Sequence, residues 1–505
     1  MIEAQTHALK VELMLYRICL ESDERASALN KLYTRFFERL LKDATRIRVP
    51  DYYLTDFVEL QLFLTNVKQR YYGTGFAPEH FRSYVRLLET LLSDTYSGAN
   101  PHAKAKFMEL LLALNAAEGG RVVGDLRALL PGKDQLSAFV RSVLSFYSAV
   151  EFMTDYGAGG GSKYRYRYFI SKFLVKALEQ ADYADALRGA LGSKSLSDFV
   201  AHMLTDLNYF LEEAFEKIAE LRALPPRPPA EPPGSAEATL RETTTQYLKF
   251  GRSYLRLFER LAEICPQVFD DEQWAFKVAR VLNFYAAKMC ARSYRGLRLE
   301  NVRALGLKPL EFIRQLVALY ALLSGSERVK REIIADERSY DRAALLDIGS
   351  TAYHRKLLPE DTIARFEELL LELQTLETER DDLKHLTGDA PDEFSCALTY
   401  EFMSHPVRLP SSGTVVELSA IKQHITLNGE YDPFNRQKLT LADVQEVPEL
   451  RARIEAWLAE KKAEYRAQLR AKKVLADVRA DDYSDTEDNG GADDESVGGF
   501  GSTFK

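Results

Sequence analysis

Cysteine is scarce in this sequence. Its 505 residues contain four cysteines, Cys19, Cys265, Cys290 and Cys396. Thiols that are so few and so widely spaced cannot supply a disulfide scaffold or a thiolate metal cluster. We therefore expect the protein in a reducing compartment.

Long apolar runs are missing as well. The longest run, residues 316–323, is far shorter than the roughly 20 residues that a membrane span needs. The first ten residues lack the apolar centre of a signal peptide. These features favour a cytoplasmic or nuclear protein with no membrane partner.

The sequence has no excess of positive charge. Lys and Arg number 67 against 75 Asp and Glu, and residues 476–505 alone hold nine of the acids and two of the bases. The remaining 475 residues are thus almost neutral, so no broad basic field is available to hold nucleic acid. The run Lys163–Phe173 alternates bases with aromatic residues, a composition that also suits single-stranded nucleic acid. Packing of its tyrosines within a helix is the favoured interpretation.

Helical periodicity is abundant. In residues 196–221, apolar residues recur every three or four positions and acidic residues fill the opposite face. Similar stripes continue to about Gly388, with no alternating strand pattern between them. The pattern predicts an elongated α-solenoid of degenerate repeats.

Two segments interrupt the helices. Leu224–Ser235 contains six prolines, which predict an extended surface loop, with a ligand for a proline-recognition domain as the alternative. Tyr156–Ser162 is rich in glycine and predicts a flexible loop. A phosphate cradle is not expected there, because Ser162 precedes Lys163 instead of following it and no strand leads into the loop.

The pattern changes after Gly388. A β-branched stretch, Thr414–Val416, a helix over 419–426 and a long helix beginning at Pro448 predict a small mixed domain. We divide the chain into a helical core over 1–385, this domain over 386–460, a helical extension over 461–475 and a disordered acidic tail over 476–505.

The sequence offers little metal or nucleophile chemistry. Residues 389–460 contain Cys396, His405 and His424, too few for a structural zinc site with four paired ligands. A Gly-x-Ser-x-Gly motif is absent, and scattered histidines such as His202 are interpreted as ordinary surface or core groups. We predict neither a metal nor a cofactor.

One segment resembles a known domain. Pro391–Phe394, Leu409–Ser412 and above all Asp432–Arg436, the sequence DPFNR, are similar to the U-box of the ubiquitin conjugation (chain-elongation) factors, the ubiquitin fusion degradation U-box ligases. A U-box resembles a RING finger in which hydrogen bonds and salt bridges replace zinc. Further matches within the domain are Phe402, Met403, Pro406, Val407, His424, Leu439 and Leu441.

The resemblance extends along the helical region in the family's order. It implies an armadillo-like helical core with the U-box at its C-terminal end, and the family's variable N-terminal region is expected to be absent here. The matching positions are Asn100, Pro101, Lys104–Lys106, Glu109, Phe146, Tyr147, Val150, Glu151, Asp206, Tyr209, Leu211, Leu282, Asn283, Leu307–Pro309, Asp336 and Arg338–Tyr340.

The resemblance implies a ubiquitin transferase that acts without a covalent intermediate. Such a ligase positions a ubiquitin-charged conjugating enzyme to extend chains on substrates destined for proteasomal degradation, including ER-associated degradation. The implied partners are the conjugating enzyme, ubiquitin, an AAA segregase ATPase and shuttle proteins with ubiquitin-like domains. The alternative is a non-catalytic helical scaffold whose U-box serves only for docking.

The resemblance also implies roles for individual residues. Leu398, Tyr400, Pro433 and Phe434 are expected to form the apolar groove that binds the conjugating enzyme. Arg436 is expected to stabilise the closed arrangement of conjugating enzyme and ubiquitin, the alternative being that Arg436 and Asp432 only hold their loop in place. Structural roles within the U-box are expected for Asp432, Asn435, His424 and Pro406.

Two departures from the family pattern concern these loops. Cys396–Thr399 stands where Asp-Pro-Leu-Met is usual, and we expect this change to alter the stiffness of the first loop. Glu417 and Leu418 replace an Asp-Arg pair, and we expect this change to remove a charged partner from the bracing network.

Overall fold

The computed structural model describes residues 101–117, 132–152, 161–224, 236–290 and 305–484, with a few isolated positions between 28 and 62. The chain divides into two compact units, with the boundary between Leu373 and Gln374. That boundary lies inside a helix, upstream of the expected end of the core at residue 385.

Helices make up the described part of the first unit. They are α1 (Pro101–Ala117), α2 (Lys133–Ala149), α3 (Gly161–Ala177), α4 (Ala181–Arg188), α5 (Lys194–Ala223), α6 (Ala236–Ile264), α7 (Glu272–Met289), α8 (Pro309–Leu323), α9 (Glu327–Ala335), α10 (Arg342–His354) and α11 (Glu360–Thr387), with 3-10 turns at Val150–Phe152 and Pro266–Asp270.

Side-chain caps fix the starts of several helices. Ser193, Asp271, Ser326 and Asp341 each accept a hydrogen bond from a backbone N–H in the first turn of the following helix. Such a cap satisfies one of the N–H groups that have no partner within the helix. The local sequence therefore sets where α5, α7, α9 and α10 begin.

The helices of the first unit pack on partners that lie close in sequence. The most extensive pair is α5 with α6, and α1 with α3, α2 with α4 and α7 with α9 are further pairs. This pairing of near neighbours is compatible with the predicted solenoid. The α5–α6 contact is close because Gly251 faces Leu211, where a Cβ atom would lie 2.8 Å from the leucine Cγ.

A buried ion pair joins three of these helices. Arg167 on α3 donates to both carboxylate oxygens of Asp206 on α5, at 3.0 and 3.2 Å. Its Nε donates to the carbonyl of Tyr147 on α2, and the Tyr147 hydroxyl donates to Asp206 at 2.8 Å. The run Lys163–Phe173 lies within α3, and its Tyr168 is buried, in agreement with the favoured interpretation of helix packing.

The second unit contains a small sheet. It comprises the end of α11, β1 (Pro406–Arg408), β2 (Val415–Glu417), α12 (Leu418–Asn428), β3 (Gln445–Glu446) and α13 (Pro448–Ser484), with 3-10 turns at Asp392–Phe394 and Leu441–Asp443. The strands are antiparallel in the order β2-β1-β3, and Val407 pairs with Val416 on one side and Glu446 on the other. The prediction of a mainly helical chain with a small α+β domain near its C-terminal end is confirmed.

The structure corrects two boundaries. Helix α13 continues to Ser484, so the prediction that disorder begins at residue 476 is wrong for 476–484, and 485–505 lie outside the described residues. Helix α3 begins at Gly161, which removes the last two residues from the predicted glycine loop. Residues 156–160 and 225–235 of the two predicted loops lie outside the described residues. None of the described helices is long and apolar enough to cross a membrane.

We predict that Gly251→Ala will lower the stability of the first unit. The new methyl group would overlap the Leu211 side chain where α5 and α6 pack together, and such overpacking costs about 1 to 3 kcal/mol. Thermal unfolding followed by circular dichroism measures the effect. Gly325→Ala is the matched control, because nothing lies within 4 Å of its new Cβ. Equal melting temperatures for the two variants would contradict the proposed close packing.

Candidate functional site

A compact apolar core underlies the candidate site. Trp457 on α13 packs against Phe394 and Phe402, with ring centroids 5.9 and 5.7 Å apart. Leu398 and Leu418 are half-buried against the same core. Its buried members are Phe394, Cys396, Met403, Val407, Leu409, Val416, Ala420, Ile421, Leu439 and Ile454.

The first loop, residues 396–401, leaves this core and returns to it. The N–H of Cys396 donates to the carbonyl of Glu401 at 2.7 Å, and the N–H of Tyr400 donates to the carbonyl of Cys396 at 2.8 Å. An antiparallel bridge between Ser395 and Phe402 closes the loop. The backbone bonds thus hold a six-residue turn.

The second loop, residues 432–437, has the same pattern of backbone hydrogen bonds. The N–H of Asp432 donates to the carbonyl of Gln437 at 2.8 Å, and the N–H of Arg436 donates to the carbonyl of Asp432 at 2.8 Å. A bridge between Tyr431 and Lys438 closes it. The sequences CALTYE and DPFNRQ therefore have equivalent backbone hydrogen bonds position by position.

The fifth position of each loop is left-handed. Tyr400 has φ 60° and Arg436 has φ 61°, a region that costs a non-glycine residue on the order of 1 kcal/mol. Both side chains are exposed, Tyr400 by 85%. The loop geometry therefore presents Tyr400 and Arg436 to solvent at equivalent positions.

The first position of the second loop supplies a buried acceptor. Asp432 accepts the N–H of Phe434 at 2.9 Å through Oδ1 and the hydroxyl of Ser411 at 2.5 Å through Oδ2. Ser411 lies between β1 and β2, so this carboxylate ties the second loop to the sheet. The expected structural role of Asp432 is consistent with these contacts.

The ionisation of Asp432 follows from the same contacts. Burial acts to raise the pKa of its carboxyl group, but hydrogen bonds from Ser411, the Phe434 amide, Ser412 and the Asn435 amide outweigh burial and hold that pKa below its ordinary value. The Asp432 side chain, which braces the second loop, is therefore an ionised carboxylate at neutral pH.

A thiol occupies the equivalent position of the first loop. Sγ of Cys396 accepts the N–H of Leu398 at 3.4 Å and the N–H of Glu417 at 3.2 Å. A sulfur atom is a weaker acceptor than a carboxylate oxygen. The Cys396 thiol thus connects the first loop to β2, more weakly than a carboxylate would.

At Glu417 the bracing network keeps one charged member. Its Oε2 accepts the N–H of Ser404 at 2.7 Å and the N–H of His405 at 2.8 Å, so the negative partner of the usual Asp-Arg pair remains functional. The basic partner is replaced by Leu418, which packs against the apolar core. One half of the charged pair has become an apolar contact.

The structure groups the residues proposed for docking into two sets, one per loop. Leu398 and Tyr400 belong to the first loop, with Leu398 half-buried. Pro433, Phe434 and Arg436 belong to the second loop, where Pro433 is half-buried and Phe434 is 44% exposed. Leu398 and Phe434 both occupy the third position of their loops.

The other residues proposed as structural lie within this unit. The side chain of Asn435 accepts the N–H of Gln437 at 3.0 Å, and the carbonyl of Pro406, the first residue of β1, accepts the N–H of Val447 at 3.2 Å. His424 on α12 packs edge-on against Tyr431, which adjoins the second loop, with centroids 4.9 Å apart.

Sequence reasoning did not find the braces made by Ser411 and Cys396. The sequence contained one weak indication that the two loops are equivalent. The fourth position of each loop, Thr399 or Asn435, is a residue whose side chain accepts a hydrogen bond. Each accepts the N–H of the sixth residue, at 3.4 and 3.0 Å. Aligning the two loops with each other would have marked Cys396 as the counterpart of Asp432.

The described cysteines do not suit a covalent role. Cys265, Cys290 and Cys396 are buried, and burial raises the pKa of the Cys265 thiol to about 11. Among the residues that the structure describes, no three His, Cys, Asp or Glu side chains converge to hold a metal ion. The two hydrogen-bonded loops are therefore the candidate functional feature of this unit.

This geometry, a small sheet with two hydrogen-bonded loops, is that of a zinc-free RING-like module, and the U-box domain matches residues 390–463. The ubiquitin elongating factor core matches residues 47–374. The chain therefore belongs to the family of ubiquitin elongating factors.

Curated relatives carry matching names. The chain is 26% identical over 410 residues to E4 ubiquitin-protein ligase UFD2 of Saccharomyces cerevisiae, covering 76% of this chain and 41% of the relative. It is 24% identical over 432 residues to the probable ubiquitin conjugation factor E4 of Arabidopsis thaliana, covering 81% of this chain and 40% of the relative. The chain thus spans less than half of the length of these two relatives.

We predict that Asp432→Ala will loosen the second loop. The change leaves the Phe434 amide and the Ser411 hydroxyl, which are partly buried, without their acceptor, at a cost of about 1 kcal/mol. Hydrogen exchange of peptides covering 432–437 should accelerate. Asp443→Ala is the control, because Asp443 caps an exposed turn where water can replace it. Equal exchange in wild type and Asp432→Ala would remove Asp432 from this role.

The pKa of Asp432 predicts a pH dependence. A carboxyl group whose pKa is lowered by folding stabilises the folded state above its ordinary pKa of about 3.9, and this stabilisation disappears as the pH falls through the folded pKa. The stability advantage of wild type over Asp432→Asn should therefore be constant above about pH 5 and shrink at lower pH. Urea unfolding of both proteins at several pH values above and below pH 5 measures this difference in stability. A stability advantage of wild type that grows as the pH falls would contradict the lowered pKa assigned to Asp432.

Proposed function

We propose that the chain is a U-box ubiquitin ligase that positions a ubiquitin-charged conjugating enzyme for chain elongation. The observation that carries this proposal is the pair of equivalent loops. Each loop presents an apolar side chain at its third position and an exposed side chain at its fifth. The match to the U-box domain and the printed names of the relatives support the same reaction.

The chain contributes no covalent step in this proposal. A lysine amine attacks the thioester that joins ubiquitin to the conjugating enzyme, an isopeptide bond forms, and the enzyme's cysteine leaves as a thiol. The burial of the described cysteines supports a mechanism in which the covalent chemistry takes place on the conjugating enzyme. Catalysis then rests on orientation, which reduces the entropic cost of the attack.

The conjugating enzyme would dock on the apolar residues of both loops. Phe434 and Tyr400 expose apolar area that folding leaves unburied, and Leu398 and Pro433 add half-buried area beside them. A few such aromatic and aliphatic anchors typically supply most of the affinity of an interface. Since the braces at Cys396 and Asp432 order the loops before binding, little conformational entropy remains to be lost.

Arg436 would act on the charged complex. Its side chain is exposed, and it makes no hydrogen bond or ion pair with a described residue. A planar guanidinium can donate to several carbonyl groups of the conjugating enzyme and ubiquitin at once. Its backbone N–H already holds the loop through Asp432, so the side chain is available for this second role.

The wider setting belongs to the same proposal. The helical core would bring ubiquitylated substrates to the U-box, with an AAA segregase ATPase and ubiquitin-like shuttle proteins as its partners. Proteasomal degradation, including ER-associated degradation, would be the outcome, in the cytoplasm or the nucleus. These assignments rest on membership in the family.

The alternative is a scaffold that docks the conjugating enzyme without activating it. The thiol brace at Cys396 favours this reading, because it makes the first loop less firmly held than the second. Both readings predict binding. They differ in whether binding accelerates the transfer of ubiquitin.

We predict that two substitutions in the second loop will separate binding from transfer. Phe434→Ala should lower the affinity for the conjugating enzyme by about 1 to 2 kcal/mol, because it removes an exposed anchor. Arg436→Ala should preserve binding but slow lysine discharge by roughly tenfold, as expected for a contact made mainly in the transition state. Calorimetry and single-turnover discharge measure the two effects.

Two further variants complete this experiment. Lys438→Ala removes a nearby exposed charge and should leave both quantities unchanged. Arg436→Lys keeps the charge but loses the planar fork, so it should restore little of the discharge rate. Unchanged discharge in Arg436→Ala, at a melting temperature equal to that of wild type, would reject the catalytic role and favour the scaffold.

A further inference from the structure

A basic surface lies in the first unit. Helix α3 and the residue after it, 161–178, contain no acidic residue, and neither do residues 243–258 of α6. These two helices pack against each other. Where they meet, a lysine from each helix lies over the same tyrosine ring.

The centre of this surface is a pair of lysines that share one ring. Nζ of Lys172 lies 5.9 Å and Nζ of Lys249 lies 5.4 Å from the centroid of the Tyr168 ring. Both lysine side chains are exposed, and neither forms an ion pair with a described acidic residue. The Lys172 ammonium group is nevertheless partly desolvated, which lowers its pKa, and the positive charges of Arg256, Lys249 and Arg252 lower it further.

Three more cations surround a single carboxylate beside this pair. Glu311 forms ion pairs with Arg252 at 3.4 Å, with Arg256, and with Lys308 at 3.7 Å. The side chains of Arg256 and Lys308 remain 45% and 62% exposed. We call Lys172, Lys249, Arg252, Arg256 and Lys308 the basic patch, which has five positive charges against the one negative charge of Glu311.

The basic patch is elongated. Lys249, Arg252 and Arg256 are spaced by three and four residues, so they lie along one face of α6 over about 10 Å. A single phosphate group reaches only part of this length. In an extended peptide, side chains on one face recur about every 7 Å, so successive carboxylates can reach cations at both ends.

The surroundings disfavour nucleic acid. Tyr168, the ring between the two lysines, is only 8% exposed, so it offers no platform on which a base can stack. The net negative charge of the whole chain also opposes the approach of a long polyanion. A short row of carboxylates is the anion that fits this patch.

We propose that the basic patch binds an acidic, extended polypeptide segment of a partner protein. The lysines at Tyr168 would contact one end of the segment, and Arg256 and Lys308 would contact the other, displacing part of the shared pairing to Glu311. The patch lies within the residues that match the elongating factor core, so it gives that core a binding surface of its own.

Fluorescence anisotropy with the full chain tests this proposal. The probe is a labelled peptide of about twelve residues in which Glu and Ser alternate, so that the carboxylates share one face of the extended chain. We expect saturable binding that weakens as salt rises from about 50 to 200 mM. The double variant Lys172→Glu with Lys249→Glu should bind at least about ten times more weakly, since two attractions become repulsions.

A matched control separates the patch from net charge. Lys133→Glu with Lys194→Glu changes the total charge by the same amount at exposed first residues of α2 and α5, where acids are favourable. This variant should retain binding within about twofold. If the Glu substitutions at the patch lower the melting temperature, Lys172→Gln with Lys249→Gln tests the same surface, because it removes charge without reversing it.

Three outcomes would overturn the proposal. The first is the absence of saturable peptide binding, and the second is an equal loss in the patch variant and the control. The third is tighter binding of a labelled oligothymidine of similar length, lost in the same patch variant. That result would assign the patch to nucleic acid instead.

Discussion

A buried acceptor at the first position of each loop is the interaction on which the rest of the candidate site depends. Asp432 and Cys396 each accept the amide two residues ahead and a second donor from the β1–β2 region. These few hydrogen bonds hold the backbone that places a left-handed residue at the fifth position. The exposed side chains of Tyr400 and Arg436 are consequences of that constraint.

The two braces differ in strength, and this difference gives the loops distinct properties. A carboxylate with a lowered pKa holds the second loop, whereas the sulfur atom of Cys396, a weaker acceptor, holds the first. Leu398 compensates in part, because its side chain packs against the core. The second loop is thus ordered by polar contacts and the first by apolar packing, and Arg436 lies on the loop with the stronger polar brace.

Much of the fold could be predicted from the sequence, because helical periodicity and capping act locally. The stripe over 196–221 became α5, and Pro448 begins α13 as expected. The end of α13 was misjudged, since acidic composition does not by itself stop a helix. The hydrogen bonds of Ser411 and Glu417 could not be predicted, because their partners lie 21 and 12 to 13 residues away in sequence. Only the folded sheet brings these groups together.

The central claim is that both loops form one docking surface for a ubiquitin-conjugating enzyme. Hydrogen exchange of the full chain, with and without a saturating conjugating enzyme, tests it most directly. The account predicts slower exchange in the peptides covering 396–401 and 432–437 together, with the helical unit unchanged. Protection of one loop alone, or protection confined to residues 101–373, would contradict it.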